Sequence, residues 1–385
     1  MVSFELTEMQ KRWQEKARKF AQTVMRPLGW EMDRLPGHDD MWKARAKEYT
    51  EKAAAEGLWS LGIPEKYGGN GLDFLTMAVV MEELAVGDAG LAFTTANGAS
   101  RTILLAGTDE QKERFLPMVT GKNPAICAFA LTEPGAGSDA SALSTKAQLD
   151  NDGYILNGTK CFVSNGGSAN LYIIFATVDR SRGIKGITAF IVERDRPGIQ
   201  GGKIEDKMGF RTSEAAEVIL NDVRIPKENL LGGEGSGFKI AMQFLDGARV
   251  LYAGAIAVGL ARAAYETAVD FFNQSPEPVK IALGTQPISF ALAEIASAIE
   301  ASRLMVWKAS WLLDQRLPAT LNAAWAKFFA SDMANEAANK VVQIIGQHGY
   351  GKEHPAEKYV RDAKILQLYE GTNEINKLVA SRFIK

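Results

Sequence analysis

The chain has 385 residues, 46% of them hydrophobic and 23% charged, with 44 basic against 46 acidic side chains and a formal net charge of −2. That length suits two or three domains at about 150 residues each, and the balanced charge removes the electrostatic footprint of a dedicated nucleic-acid binder. Cys127 and Cys161 cannot make a disulfide framework, and His38, His348 and His354 stand in no zinc-ligand spacing, so a reducing compartment and no metal are expected.

Glu5 and Glu8 occupy the stretch where an export signal needs positive charge and an apolar run, and no uncharged apolar stretch reaches about 18 residues, so a cytoplasmic protein is expected. Over residues 6–25 the apolar positions Leu6, Met9, Trp13, Ala17, Phe20, Ala21 and Val24 recur at helical steps. Further helices are predicted over 40–56 and 75–84, separated by a loop that Pro64, Gly68, Gly69 and Gly71 punctuate. An apolar segment follows Gly87, and Thr108 is placed to cap a helix beginning at Asp109. Residues 1–122 therefore read as a helical domain.

Beyond Asn123 the period changes. β-branched and aromatic runs at 126–131, 153–156, 160–164, 171–178, 187–192 and 216–220 alternate with turn signals at Asn151-Asp152-Gly153, Asn157-Gly158 and Asn165-Gly166-Gly167. This predicts an antiparallel barrel or sandwich over 123–233. From 234 to 385 the helical period returns, with helices expected at 238–272, 288–313, 318–345, 357–368 and 373–383, apolar enough to pack as a four-helix-type bundle.

Gly135-x-Gly137-x-x-Ala140 formally matches a dinucleotide fingerprint, but it lies between short strands and not at the strand-to-helix turn of a βαβ unit. What remains is a glycine-rich turn whose Thr132, Ser138 and backbone N–H groups suit either a tight connection or a polar ligand edge. Glu370 ends an apolar segment, Ile365, Leu366 and Leu368, just before Gly371. Partial burial there would raise its pKa towards that of a useful base, although a solvated glutamate at a helix junction fits the same residues. Gln343, Gly346 and Gln347 read as a helix end, and Asp246 with Arg249 as a surface ion pair.

Taken together, Ala130-Leu-Thr-Glu-Pro-Gly-Ala-Gly-Ser-Asp139, Asn157-Gly-Thr-Lys160, Asn165-Gly166, Lys207-Met-Gly-Phe-Arg-Thr-Ser213, Asp222-Val-Arg-Ile-Pro226, Gln343-x-x-Gly346 and Tyr369-Glu-Gly-Thr372 resemble the flavin-dependent acyl-CoA dehydrogenase family from the first helix to about Ala380. The resemblance implies helical, β-barrel and helical-bundle domains, FAD between barrel and bundle, a homotetramer, and electron transfer from an acyl-CoA to an electron-transfer flavoprotein. By position, Phe129, Leu131, Thr132, Gly137 and Ser138 would line one side of the flavin, and Phe162 and Ser164 the other. Phe162 stands where the family often has Trp.

The same resemblance gives Glu370 the role of base, because Ala248 precedes Arg249 where some members carry an alternative carboxylate. Asp246 and Arg249 would hold the CoA ester, with Ser138, Tyr369, Gly371 and Thr94 also on the substrate side. Gln343, Gly346, Gln347, Thr372 and Glu374 would touch FAD, some of them across a subunit interface. Two departures stand out. Ser275-Pro-Glu-Pro-Val279 replaces an Arg-x-x-Phe-Gly segment that would meet a neighbouring FAD pyrophosphate, and Lys280 would substitute for the arginine only as a flexible point charge. One extra residue between Arg249 and Gly259 would turn the following side chains by about 100° unless a bulge absorbs it, giving an expected pocket for short, branched, cyclic or aromatic acyl groups. Readings left open are a related oxidase, reductase or eliminating dehydrogenase, and an oligomer that lost FAD.

Overall fold

The computed structural model describes residues 5–276 and 284–384, so residues 277–279 of the first departure, and Lys280, lie outside the described residues. The chain opens with helix α1 (Glu8–Phe20), started by a capping box: the Thr7 hydroxyl accepts from the Gln10 N–H while the Gln10 side chain accepts from the Thr7 N–H. The helix expected to stop near residue 25 does not stop there. A π-helical turn (Ala21–Met25) carries it into α2 (Arg26–Arg34), and the widened turn accommodates Pro27, which has no N–H to donate.

Helices α3 (Asp40–Ala55), α4 (Phe74–Gly87), α5 (Ala89–Thr95), α6 (Ser100–Ala106) and α7 (Asp109–Phe115) complete the first unit. Every residue of α4 from Thr76 to Val86 is buried, as expected of a helix that is apolar on all sides. A second capping box, Thr108 with Gln111, starts α7, and the Gln111 amide also donates to the Glu228 and Leu230 carbonyls.

The middle of the chain forms one eight-stranded sheet of β1 (Cys127–Ala130), β2 (Lys146–Asp150), β3 (Gly153–Ser164), β4 (Leu171–Thr177), β5 (Ile187–Glu193), β6 (Ile199–Ile204), β7 (Ala215–Pro226) and β8 (Leu230–Leu231). Its order is β6-β7-β3-β2-β4-β5-β8, with β1 beside β4. Two features differ from the expectation. The sheet is not wholly antiparallel: β1 and β2 both meet β4 in parallel, and β4 is buried along its whole length, like a central parallel strand. Asn157-Gly158 is also no hairpin turn. The two short strands expected around it are one strand, β3, with a bulge where the β3–β7 register shifts between Leu156 and Gly158. Gly158 supplies the φ of +154° there, and the Asn157 amide bonds to Asp222 across the bulge.

The last unit contains α8 (Gly237–Ala248), α9 (Ile256–Gln274), α10 (Gln286–Asp314), α11 (Thr320–Ile345), α12 (Gln347–Tyr350), α13 (Ala356–Leu366) and α14 (Asn373–Ser381). Between α8 and α9 runs a π-helical segment, Arg249–Ala255. A wider turn of this kind is the bulge in which one extra residue can be taken up. Gly237–Gln274 is the one helix among the described residues that is long and apolar enough to cross a membrane, and it lies mostly buried in the core.

The three units meet at one buried polar cluster. Lys358 on α13 binds Asp362 and, at 2.8 Å, Asp88 at the start of α5. Asp88 accepts from the Thr212 hydroxyl at 2.6 Å, and Asp362 accepts from the Phe210 N–H at 2.6 Å, so the segment following β6 is tied to both helical units.

Candidate active site

Six residues, 367–372, join α13 to α14. Their course is tight: Tyr369 N–H returns to the Ile365 carbonyl at 3.1 Å, Asn373 N–H donates to the Gln367 carbonyl at 3.0 Å, and Thr372 caps α14. Within this turn Glu370 adopts φ +55° and Gly371 φ +80°. The left-handed region costs a non-glycine residue about 1–2 kcal/mol, so the surroundings must hold Glu370 in place.

They do so through its backbone. Arg249 Nε donates to the Glu370 carbonyl at 3.3 Å. Lys327 Nζ donates to the Gly371 carbonyl at 2.8 Å and to Asn373 Oδ1 at 2.7 Å, and Asn376 Nδ2 donates to the Gly371 carbonyl at 2.8 Å. Asp246 holds Arg249 at 3.0 Å and accepts from the Thr320 hydroxyl at 2.6 Å. Contrary to the surface ion pair expected, Arg249 is buried, with 5% of its side chain exposed.

The Glu370 carboxylate and its own N–H have no hydrogen-bond partner among the described residues. Burial raises the carboxyl pKa to about 7, with the Arg249 and Lys327 charges pulling it back down. Burial likewise lowers Lys327 to about 7, opposed first by Glu370. Burial thus moves two groups of opposite sign towards neutrality at one half-buried turn. Lys327 was not anticipated from the sequence, although a single cation in the run Ala323-Ala-Trp-Ala-Lys327 was a usable signal.

Aromatic rings connect Glu370 to the other units. The Tyr369 ring centroid lies 5.3 Å from Phe93 of α5 and 6.0 Å from Phe210, Phe93 lies 6.1 Å from Tyr252, Tyr252 lies 6.4 Å from Phe244, and Phe244 stacks on Phe129 of β1 at 4.6 Å. Thr94 follows Phe93 and donates to the Gly90 carbonyl at 3.1 Å. All three units therefore contribute to one apolar wall.

Beyond Phe129 the chain enters the glycine-rich turn. Glu133 anchors it, accepting from Lys160 Nζ at 2.7 Å, the Ser144 N–H at 2.6 Å and the Thr145 N–H at 3.0 Å, while Lys160 Nζ also donates to the Leu131 carbonyl at 3.2 Å. Burial opposes ionisation of Glu133, but Lys160 and these hydrogen bonds outweigh it and hold the carboxyl down at about 2. The Thr132 carbonyl accepts from the Cys161 N–H at 3.0 Å, which sets the turn against β3 near Phe162 and Ser164.

This region fits the ring system that the resemblance requires. Gly135 and Gly137 face open space, with nothing within 4 Å of where a side chain would begin, and Ser138 is exposed beside them. Phe162 is 65% exposed and has φ +54°. A phenylalanine left uncovered in a strained conformation is not explained by packing within the chain, whereas the face of a flat apolar ring would bury it. Gln343, Gly346 and Gln347 are exposed at the α11 end, where Gly346 at φ +70° stops the helix. With exposed Glu374, they share no hydrogen bond or ring contact with Glu370 among the described residues.

A cavity of about 630 Å³ lies elsewhere, among α1, α4, α9 and α10. Its charges satisfy one another: Glu82 pairs with Arg262 and Arg303 at 2.8 Å, and Glu83 with Arg18 at 2.7 Å and Arg262 at 2.6 Å. It offers no reactive group.

Family models described as the acyl-CoA dehydrogenase N-terminal, middle and C-terminal domains match residues 7–122, 128–223 and 235–385. A short-chain-specific acyl-CoA dehydrogenase of Megasphaera elsdenii is 43% identical over 386 residues, covering 98% of each chain. An acryloyl-CoA reductase (NADH) of Anaerotignum propionicum is 41% identical, covering 99% of this chain and 95% of its own. A chain in a structure described as the electron transferring flavoprotein of Acidaminococcus fermentans superimposes with a TM-score of 0.92 at 41% identity, covering 100% of this chain and 99% of its own.

Proposed function

Because this chain belongs to the acyl-CoA dehydrogenase family, we propose that it oxidises a short acyl-CoA thioester to the 2-enoyl-CoA, with Glu370 as the base that removes the Cα proton. The enzyme is an FAD-dependent oxidoreductase. The observation that carries the assignment of Glu370 is its unpartnered carboxylate, with a pKa raised to about 7, in a turn whose backbone is fixed from three sides.

When bound, FAD supplies a two-electron acceptor for the hydride that leaves Cβ. Phe129, Leu131, Thr132, Gly137 and Ser138 on the glycine-rich turn, with Phe162 and Ser164 on β3, are the residues assigned to hold its ring; Thr372, Glu374, Gln343, Gly346 and Gln347 are assigned to the rest of the cofactor. Glu370 does two things. Its free N–H is available to the thioester carbonyl, where negative charge develops as Cα loses its proton. Its carboxylate takes that proton, and a base with a pKa near 7 is matched to this work at neutral pH. Arg249, supported by Asp246, and Lys327 keep the turn in its left-handed form. Tyr369, Gly371 and Thr94 line the substrate side, and the aromatic wall excludes water.

Electron transfer to an electron-transfer flavoprotein, a homotetramer and a cytoplasmic location complete the reading; the likeness to the Acidaminococcus chain supports the first. The 41% identity to an acryloyl-CoA reductase favours a second reading, in which the same site runs in reverse and Glu370 returns the proton to Cα. Anaerobic titration of the purified flavoprotein with butyryl-CoA tests the first: the flavin band should bleach. If only the reduced protein reacts, recovering its colour with an enoyl-CoA, the second reading replaces the first. If neither reaction occurs, both fail.

The pKa of Glu370 gives a further expectation. Only the carboxylate accepts a proton, so the rate of bleaching should be level above about pH 7 and fall tenfold per pH unit below it. Stopped-flow bleaching between about pH 5.5 and 8.5 measures this. A rate that does not change over that span would remove Glu370 from the proton-transfer step.

A further inference from the structure

The reaction proposed above sends a proton to Glu370 and a hydride to the flavin, so the acyl chain must pass between the groups that flank these two. Beside Glu370 stand Tyr369 and Phe93, their ring centroids 5.3 Å apart. On the side assigned to the flavin, Phe244 stacks on Phe129 at 4.6 Å. Among the described residues Tyr252 is the ring that meets both sides: it stands edge-on to Phe93 at 6.1 Å and lies 6.4 Å from Phe244. Its backbone belongs to the same junction, since the Tyr252 carbonyl accepts the Tyr369 hydroxyl.

The ring has no room to move back. Gly98, in the connection between α5 and α6, lies against its tip: a Cβ there would fall 2.4 Å from Tyr252 Cε2, 2.6 Å from Cζ and 2.7 Å from the hydroxyl oxygen. All the bulk of this contact is on one partner, a tyrosine of the π-helical segment set against a residue with no side chain. Packing holds the ring, because its hydroxyl has no hydrogen-bond partner among the described residues. Burial pushes the phenol up to about 12, with Arg101 opposing the rise and the Glu370 charge adding to it, so the group stays neutral. Beyond the ring, Met77, Met81, Ala96, Ser100 and Leu251 help to enclose about 10 Å³ open to the centre of a water molecule, room for about one water and not for an alkyl chain.

We propose that Tyr252, backed by Gly98, is the specificity-determining residue that ends the acyl subsite and limits the substrates to short chains. The inference rests on the acyl-CoA reading above and names the side chain that enforces its chain length. A butyryl chain ends just past the carbon that loses hydride and stops short of the ring, whereas an octanoyl chain has to enter the space the ring fills. A closely packed interior yields such space only by forcing side chains off their rotamers or shifting backbone. In an apolar pocket a single methylene changes kcat/KM by about 10–200-fold.

The experiment measures kcat/KM for butyryl-CoA and octanoyl-CoA, with an artificial electron acceptor, for the wild-type holoenzyme and for Tyr252→Ala and Tyr252→Phe. The wild type should favour butyryl-CoA by about tenfold or more. Tyr252→Ala should raise the octanoyl-to-butyryl ratio by about tenfold or more, and Tyr252→Phe, which keeps the ring and loses only the hydroxyl, should leave the ratio as in the wild type. Should Tyr252→Ala fail to fold, Tyr252→Leu, which leaves a smaller void, is read by the same criterion. A weaker preference in the wild type, a smaller rise on shortening the side chain, or an equal rise in Tyr252→Phe overturns the inference and leaves the acyl-CoA reading standing. If neither thioester reduces the flavin, the acyl-CoA reading falls and takes this inference with it.

Discussion

Glu370→Gln should bind acyl-CoA and fail to bleach the flavin, with the bleaching rate lowered by about 10²–10⁴-fold, the usual contribution of a positioned general base. The substitution preserves size and removes only the ability to accept a proton. Ligand binding, read as a shift in the flavin band on adding an enoyl-CoA, should persist. Folding should not suffer, because Arg249, Lys327 and Asn376 grip the backbone carbonyls of residues 370 and 371 and do not hold the carboxylate. A neutral amide also avoids the burial that raises the acid to about 7. Glu370→Asp should fall between, since the shorter carboxylate keeps the chemistry and loses reach. A Glu370→Gln protein that bleaches at the parent rate would require another base.

Lys358→Met should lower the stability of the folded chain by about 3–5 kcal/mol, as expected when one partner of a buried charge cluster is removed. Lys358 is 6% exposed by side chain, Asp88 2% and Asp362 1%, so the variant leaves two buried carboxylates facing each other without a cation. The charges of Asp88, Asp362 and Asp33 all favour the Lys358 ammonium, and together they overcome burial and raise its pKa. The loss should be partly recovered in Lys358→Met with Asp362→Asn, because that second change removes one uncompensated charge; additivity would fail in the stabilising direction. Urea unfolding of the two variants beside the wild type measures both effects. A loss below about 1 kcal/mol would mean that the cluster does not hold the three units together.

Local signals were readable where they act within a few residues. Thr7 with Gln10 and Thr108 with Gln111 announce helix starts, because a capping box closes over three positions. Asn157-Gly158 shows the limit. The dipeptide favours a turn, yet the bonds from Asn157 to Asp222 and the pairing of β3 with β7 make it a bulge in a continuous strand. The π-helical segment Arg249–Ala255 illustrates the same limit in a helix: an extra residue is visible in the sequence, and the widened turn is visible only in the structure.

The sequence by itself determined the succession of helical, β and helical units, the family motifs that single out Glu370, and the flavin chemistry those motifs imply, because periodicity, capping and motif spacing are properties of neighbouring residues. Only the tertiary structure decided what surrounds Glu370. Lys327 and Arg249 lie 43 and 121 residues away along the chain from Glu370 and reach its turn only when α11 and the π-helical segment Arg249–Ala255 pack beside it. Burial and charge pairing arise from the whole packed chain, which is why the carboxyl pKa of Glu370, ordinary in the sequence, is raised to about 7 in the fold.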